Sequence, residues 1–221
     1  FVNFKIDKLP DIHIVDRYME TLKGFGIVND QKGLDYFIPE NEVVPITSLP
    51  ELFRKGYTGF VIGARHNTKM LPVEKIISIC KKIGKPIVLL GGKAEMEKGE
   101  LIRVAVGDFI YNGCGKFSIN QSASLVQQAE KIITHDTGLM HIAAAFKKEI
   151  ISVWGNTVPK FGMYPYLTGY GYKSRGVVAE VKGLSCRPCT KIGFKKCPKS
   201  HFRCMNEIDE DQIVNNVKAH P

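Results

Sequence analysis

Four polar residues of one short stretch, Asp136, Thr137, Gly138 and His141, are of the types that bind anionic ligands. They lie within Lys131–Gly155, which reads KIITHDTGLMHIAAAFKKEIISVWG and predicts a strand, a tight turn, a helix and a second strand. Gly138 lets a ligand approach the backbone closely, and the free N–H groups of a helix start attract anionic oxygens. Asp136 is predicted to cap the helix, with His141 about one turn beyond it. The stretch indicates a phosphate-type site.

The same residues also fit purely structural roles. Asp and Thr are routine N-cap residues, and His141 could be a hydrogen-bonded side chain on a half-buried face. A site is favoured because all four residues fall at one strand end, where open α/β sheets bind their ligands.

Two further loops place polar side chains after predicted strands. Thr68 and Lys69 belong to ARHNTKMLP, and Glu95 and Glu97 follow the glycines of GGKAEMEKGE. An ammonium beside a hydroxyl is a natural phosphate clamp, and a carboxylate accepts two hydrogen bonds from a sugar diol. Charged loops are usually only solvated, so the signal is the occurrence of three polar loops at strand ends of one sheet.

The order of the elements predicts that these loops share one edge. Apolar strands alternate with helices of about 12 residues, which indicates a Rossmann-like, doubly wound parallel α/β sheet covered on both faces. The predicted strands are Gly59–Arg65, Pro86–Gly92, Phe109–Gly115, a strand through Ile132 and Ile133, and, last, Ile150–Trp154. Helices are predicted at Pro72–Gly84, Ser118–Glu130 and Glu207–Ala219, among others.

Residues 1–45 precede this pattern. Asp11–Phe25 carries an apolar stripe that predicts a helix, and a long polar arm follows it. We expect 1–45 to be an interdomain linker and helix from a missing amino-terminal domain, and 46–221 to be the ligand-binding domain. The chain starts without Met, so the beginning of a longer protein is expected to be absent. The helix should pack near the carboxyl-terminal helix.

The charge balance predicts an anionic partner. The chain has 31 Lys plus Arg and 22 Asp plus Glu, a formal net charge of +9. Such a surface suits phosphates, acidic lipid headgroups or nucleic acid, although a merely solvated basic surface has the same balance. No apolar run approaches the roughly 18 residues of a membrane span, and no signal peptide opens the chain, so we expect a soluble, intracellular protein.

Four of the six cysteines cluster near the carboxyl end. Cys186, Cys189, Cys197 and Cys204 follow the spacing C-x2-C-x7-C-x6-C, with His201 nearby. In a reducing compartment such a cluster suggests zinc before disulfides, but the later gaps are shorter than in common zinc ribbons. Free or partly oxidised thiols are therefore preferred, and zinc and disulfides stay open.

The loop 186–204 that holds these cysteines is strongly basic. Because it follows the last predicted strand, we expect it to lie outside the ligand site and to be a place where an acidic acceptor binds. Only Phe194 and Phe202 are interleaved with its charges, which argues against a platform for single-stranded nucleic acid. Its six fixed positive charges are Arg187, Lys191, Lys195, Lys196, Lys199 and Arg203.

Two familiar nucleotide signatures are missing. No GxGxxG follows the first strand and no GxxxxGK[ST] occurs in the chain, which removes most support for NAD enzymes and P-loop NTPases. A nucleotide or nucleotide sugar held by separate strand ends remains.

Several motifs together resemble the heptosyltransferases, the family 9 glycosyltransferases of lipopolysaccharide core synthesis. The most specific is HDTGLMHIAAAF at His135–Phe146, and the resemblance covers the chain from about Gly59 to its end. The others are HNTKMLPVEK at His66–Lys75, LLGGKAE at Leu89–Glu95, NGCGKFS at Asn112–Ser118, WGNTVP from Trp154 with the following YPY, and the CxxC tail.

The resemblance implies a GT-B architecture of two facing Rossmann-like domains, of which this chain is the donor-binding half. It implies inverting, metal-independent transfer from a nucleotide-diphosphate sugar, by default ADP-heptose, to a lipopolysaccharide core acceptor. It also implies that the protein needs no cofactor and no metal and that nucleic acid is not a partner. The general base would lie in the missing domain, so no catalytic residue is assigned and the fragment alone should bind donor without turnover. We expect a cytoplasmic monomer, which could also contact the inner membrane peripherally.

The family's donor-binding residues carry over one by one onto this sequence. Thr68 and Lys69 would bind the donor phosphates, and Glu95 would meet the ribose, with Glu97 as the other choice. The groups that would hold the diphosphate and the sugar are Asp136, Thr137, Gly138, Leu139 and His141.

A different class of function remains as the alternative: a non-catalytic nucleotide-binding module or a basic nucleic-acid-binding module. The transferase requires an open ligand cavity at the carboxyl edge of the sheet.

Overall fold

A parallel sheet of six strands, in the order β3-β2-β1-β4-β5-β6, is the framework of the protein. The computed structural model describes residues 10–168 and 176–219. The strands are β1 Thr58–Val61, β2 Ile87–Leu90, β3 Ile110–Asn112, β4 Lys131–His135, β5 Glu149–Trp154 and β6 Gly176–Glu180. The helices are α1 Ile14–Glu20, α2 Glu51–Arg54, α3 Val73–Ile83, α4 Met96–Val106, α5 Ile119–Gln128, α6 Gly138–Ala145, α7 Arg203–Asn206 and α8 Glu210–Lys218.

The connections between strands create one reversal of direction in the sheet. From β1 the chain winds outward through β2 and β3, then crosses back to place β4 on the other side of β1. All neighbouring strands are parallel, so the predicted doubly wound parallel sheet is confirmed. The reversal leaves a crevice outside the carboxyl ends of β1 and β4, where sheets of this type bind ligands.

Both faces of the sheet are covered, which explains why the strands are continuous apolar runs. Phe60 and Leu89 point into a core with α3, α4 and α8, whereas Val61 and Leu90 point into a second core with α5 and α6. Helix α3 ends at Gly84, whose positive φ of 61° closes the helix as its C-cap. Within the described ranges, 10–168 and 176–219, the helices are too short or too polar to cross a bilayer.

Strand β6 corrects the prediction that Ile150–Trp154 is the last strand. Gly176–Glu180 pairs with β5 in parallel, from Ile150 opposite Gly176 to Trp154 opposite Glu180. This edge strand is short and mostly half-buried, so its run of Val, Val and Ala gave only a weak sequence signal.

The amino-terminal helix lies elsewhere than expected. The predicted helix Asp11–Phe25 forms α1 and a 3-10 turn, and it contacts the segment after β5: Ile14 N–H donates to Gly162 O at 2.8 Å. Helix α8 instead packs on α3, β5 and β6, so the expected packing of α1 near it is wrong. The alternating run in residues 1–9 lies outside the described residues, and the boundary at residue 45 stays a prediction.

His135, at the end of β4, ties the loop after β1 to the sheet. Its Nε2 accepts a hydrogen bond from Leu71 N–H at 2.9 Å, so the proton of the neutral ring is on Nδ1. Burial lowers the pKa of His135 to about 3, and the nearby Lys98 ammonium acts in the same direction. The folded protein therefore holds this ring neutral.

This depressed pKa predicts a loss of stability in acid. Below the ordinary value of 6.5 the unfolded chain binds a proton that the folded chain refuses until the pH nears 3. In that window the group should lower the free energy of unfolding by about 1.4 kcal/mol per pH unit. Urea unfolding of His135→Gln, which keeps an acceptor but does not titrate, should show a correspondingly shallower pH dependence. Equal slopes in the wild type and the variant would contradict the expectation.

Candidate functional site

A cavity of about 370 Å³ opens at the carboxyl edge of the sheet, at the reversal between β1 and β4. It brings together Glu95 from the loop after β2 and Thr137, Gly138 and Leu139 from the start of α6, all four of which the sequence singled out. Gly63, Ala64 and Arg65 from the loop after β1 complete this side. Three strand ends thus contribute to one cavity.

The start of α6 offers free backbone donors to this cavity. Thr137 is the N-cap in an extended conformation, and its side chain makes no capping hydrogen bond. The expectation that Asp136 caps the helix is therefore wrong. A helix start without a side-chain cap leaves N–H groups available to an anionic ligand.

Asp136 is engaged in a partly buried ion pair instead. Lys69 Nζ lies 2.7 Å from Asp136 Oδ2, and only 13% and 8% of the two side chains are exposed. Thr157 Oγ1 donates to the same carboxylate oxygen at 3.0 Å. Charge-assisted hydrogen bonds of this kind fix both partners, so the loop after β1 and the loop after β5 are positioned by the carboxylate at the end of β4.

His141 belongs to the same group of charges. Burial lowers the pKa of His141, the Asp136 carboxylate opposes that shift, and the Lys69 ammonium adds to it. The imidazole is therefore neutral at neutral pH and can donate or accept a hydrogen bond without adding a charge.

Glu95 rather than Glu97 lies at the cavity. Its Oε2 accepts from Gly92 N–H at 2.9 Å, which fixes the carboxylate over the glycines of its loop. A Cβ placed on Gly63 would come within 2.9 Å of Glu95 Cδ, so the glycine makes room for this side chain. Glu97 lies in the first turn of α4, and among the described residues it is Glu95 that lines the cavity.

Thr68 has a structural task that the sequence did not reveal. The side chain is buried, and its hydroxyl donates to Phe194 O at 3.0 Å and accepts from Phe194 N–H at 2.8 Å. A hydroxyl has one proton, and here it is committed to a backbone carbonyl. We call this paired contact the Thr68–Phe194 clip. It joins the loop after β1 to the cysteine loop 186–204. Among the described residues, none from 186–204 lines the cavity, and that the loop lies outside the ligand site stays a prediction.

Arg187 fixes the cysteine loop to the other side of the site. Its side chain is only 5% exposed, and its Nη2 lies 3.0 Å from Glu180 Oε2. The guanidinium also donates to the carbonyl oxygens of Gly155 at 2.5 Å and Thr157 at 3.0 Å. Because Thr157 in turn donates to Asp136, Arg187 helps to hold the Lys69–Asp136 ion pair in position. From the sequence, Arg187 was only one of the positive charges of a basic loop, because a single arginine gives no signal of burial.

The four clustered thiols are free. Cys186 Sγ lies 3.8 Å from His201 Nε2, and the Cys189 thiol donates to Cys186 O at 3.0 Å. In the part of the chain that the structure describes, no group of three or more His, Cys, Asp or Glu side chains is arranged to hold a metal ion.

Several residues that line the cavity were not predicted as site residues. Arg65 was seen in its loop but not chosen, because a charged loop residue has no distinguishing pattern. Phe117 and Ile119 are apolar residues at the start of α5, where the sequence predicted only a helix start. Ser122, in the same helix, also lines the cavity.

The similarity of the chain to known proteins agrees with this geometry. Residues 1–204 match the model of glycosyltransferase family 9 (heptosyltransferase). The chain belongs to this family. The resemblance inferred from its motifs is thereby confirmed, as is the Rossmann-like fold of GT-B type predicted for it.

Two curated relatives show how much of a family 9 protein the chain represents. Lipooligosaccharide heptosyltransferase 2 of Haemophilus influenzae is 34% identical over 82 residues, which cover 35% of this chain and 24% of that protein. Lipopolysaccharide heptosyltransferase 2 of Escherichia coli (strain K12) is 28% identical over 138 residues, covering 55% and 40%. The matches thus span less than half the length of these relatives.

Solved structures share the fold. A family 9 glycosyl transferase from Veillonella parvula superposes with a TM-score of 0.72 at 19% identity, covering 95% of this chain and 60% of that one. The ADP-heptose lps heptosyltransferase II of E. coli gives a TM-score of 0.62 at 20% identity, covering 83% and 52%.

The Thr68–Phe194 clip can be tested by removing one hydroxyl. Thr68→Val keeps the volume but leaves Phe194 N–H without its partner and the Phe194 carbonyl with only the Thr68 N–H at 3.2 Å, so the free energy of unfolding should fall by about 1–3 kcal/mol. Thr21→Val, which removes an exposed hydroxyl bonded only to its own turn, should change it by less than about 0.5 kcal/mol. Urea denaturation measures both. Equal stability of the two variants would show that the clip contributes nothing.

Proposed function

We propose that this chain is the donor-binding half of a heptosyltransferase that transfers a sugar from a nucleoside diphosphate to a lipopolysaccharide core acceptor. The observation that carries the proposal is the cavity at the sheet reversal, with Glu95 on one side, the start of α6 on the other and the Lys69–Asp136 pair beside it. ADP-heptose is the donor we propose, since the E. coli structural relative is an ADP-heptose lps heptosyltransferase.

The cavity has a suitable surface for each part of such a donor. Phe117 and Ile119 offer an apolar wall to a nucleobase. The carboxylate of Glu95 is placed to accept hydrogen bonds from a ribose diol. The backbone N–H groups from Thr137 to Leu139 would bind a diphosphate, and Arg65, which also lines the cavity, would supply a positive charge.

We infer that Lys69 changes partner when the donor binds. With no donor its ammonium is paired with Asp136, and a diphosphate competes for the same charge. Asp136 would then turn to hydroxyl groups of the sugar, with Thr157 and the neutral His141 keeping it in place. Thr68 contributes by holding the loop through its clip with Phe194.

The proposed reaction is an inverting displacement. An acceptor hydroxyl loses its proton to a base and attacks the anomeric carbon, while the bond from that carbon to the phosphate oxygen breaks and the nucleoside diphosphate leaves. Lys69 and the start of α6 would neutralise the charge that develops on the leaving group, which is the role a divalent ion has in other transferases. We therefore propose that transfer needs no metal and that the base lies outside this chain.

The rest of the enzyme is part of the proposal. Residues 1–45 would connect to an amino-terminal domain, and 46–221 would form the donor domain of a monomer at the cytoplasmic side of the inner membrane. Membership of family 9 favours this over the non-catalytic nucleotide-binding module and the nucleic-acid-binding module.

Replacing Lys69 tests the donor site. Lys69→Ala should weaken binding of the preferred donor at least tenfold, since an ammonium facing a diphosphate in a partly desolvated loop contributes about 1.5–3 kcal/mol. Calorimetric titration of the chain with ADP, UDP and GDP sugars identifies that donor and measures the loss. Adding a chelator should leave the wild-type affinity unchanged.

Two variants separate the loss of a phosphate contact from the effect of leaving Asp136 unpaired. In Lys69→Ala the unpaired Asp136 carboxylate would repel the diphosphate of the donor. The double variant Lys69→Ala with Asp136→Asn removes both charges. It too should bind the donor weakly if Lys69 contacts the phosphates. Lys81→Ala, at the other end of the sheet, is the matched control. Unchanged affinity of Lys69→Ala for every donor the wild type binds would refute the assignment.

A further inference from the structure

A second cavity, of about 380 Å³, lies on the far side of the loop after β1. Its wall on that side is Asn67 and Thr68, and its opposite wall is the cysteine loop, with Lys195, Lys196 and Phe202. Thr68 therefore separates two cavities: the clip faces this one, while its neighbour Lys69 reaches Asp136 at the donor site.

The two walls of this second cavity are held together. The Thr68–Phe194 clip joins them immediately before Lys195, and Thr68 N–H adds a bond to Phe194 O at 3.2 Å. Gly193 lies so close to His66 that a Cβ there would come within 2.6 Å of the histidine Cβ. At its φ of 116° a side chain is disfavoured in any case. The two walls of the cavity are therefore held in place by the fold.

Three lysines at this cavity or next to it, Lys195, Lys196 and Lys199, lack a paired carboxylate among the described residues. From Val181 to Asn206 the sequence contains seven Lys or Arg and no Asp or Glu. Among the described residues, Lys195, Lys196 and Lys199 form no ion pair, whereas Lys75, Lys82 and Lys131 each pair with a carboxylate 2.8–3.2 Å away. Uncompensated positive charge beside a concave surface favours an anionic ligand.

We propose that this second cavity is a subsite for the acceptor, where Lys195 and Lys196 bind its phosphate or carboxylate groups. The inference rests on the proposed function, which places the donor on the other side of Thr68. An acceptor anchored here would be separated from the donor by the loop after β1, and transfer requires one of its hydroxyl groups to reach the anomeric carbon.

The shape of the site favours a saccharide over a bilayer surface. Phosphate groups of either source would satisfy the lysines, but a bilayer needs a flat or protruding basic surface. Here the charges border a recess whose wall includes the ring of Phe202 and Cys197, and an aromatic ring beside polar groups suits the face of a sugar.

Charge reversal tests the subsite. The probes are a phosphorylated core oligosaccharide freed of its acyl chains, and phosphatidylcholine vesicles with or without phosphatidylglycerol. The double variant Lys195→Glu with Lys196→Glu should bind the oligosaccharide at least about tenfold more weakly than the wild type in calorimetry. The control, Lys81→Glu with Lys85→Glu, makes the same change of charge at the exposed far end of α3 and should stay within about twofold.

Nucleotide-sugar affinity, measured in parallel, separates this inference from the proposed function. Loss of oligosaccharide binding with unchanged donor affinity supports the subsite. Oligosaccharide affinity that is equal in the wild type and the Lys195/Lys196 variant overturns it. So does a loss of binding to the anionic vesicles alone, which would assign these lysines to a membrane surface. Failure of the wild type to bind any nucleotide sugar would refute the donor assignment, whatever the oligosaccharide result.

Discussion

The ion pair between Lys69 and Asp136 is the contact on which the arrangement of the site depends. A carboxylate that is only 8% exposed needs a partner, because desolvating an unpaired charge costs several kcal/mol. Lys69 meets that need and thereby fixes the loop after β1. Thr157 binds the same oxygen and fixes the loop after β5. The buried His135 holds Leu71 at the end of the first loop, so the loop is attached to the end of β4 at two points.

Two buried polar side chains at this edge bind backbone partners from distant parts of the chain. Arg187 binds carbonyl oxygens from the loop after β5, and Thr68 binds both backbone groups of Phe194. Each contact closes a long loop, which costs chain entropy that grows only slowly with length. The cysteine loop therefore behaves as part of the domain, although it follows the edge strand and has little regular structure.

Local patterns in the sequence were enough to predict the sheet, the order of its elements up to β5 and the strand ends that form the cavity. Apolar runs, Pro at helix starts and Gly at helix ends depend on neighbours in the sequence, so they can be recognised without the fold. The task of Thr68, the burial of Arg187 and the position of α1 depend on partners more than 25 residues away. A serine or threonine in a loop looks the same whether its hydroxyl faces a ligand or a backbone. Strand β6 was missed for a different reason: at a sheet edge it needs no long apolar run.

The Thr68–Phe194 clip uses only the backbone N–H and carbonyl of Phe194. Its geometry therefore places no demand on the side chain at that position, nor on the two lysines that follow. Over evolutionary time, substitutions at 194–196 can change the charge and shape of this rim while the loop that carries Lys69 keeps its position. A backbone-mediated attachment of this kind separates what must be inherited unchanged from what is free to diversify, and it would let related enzymes acquire new acceptors without rebuilding their shared donor chemistry.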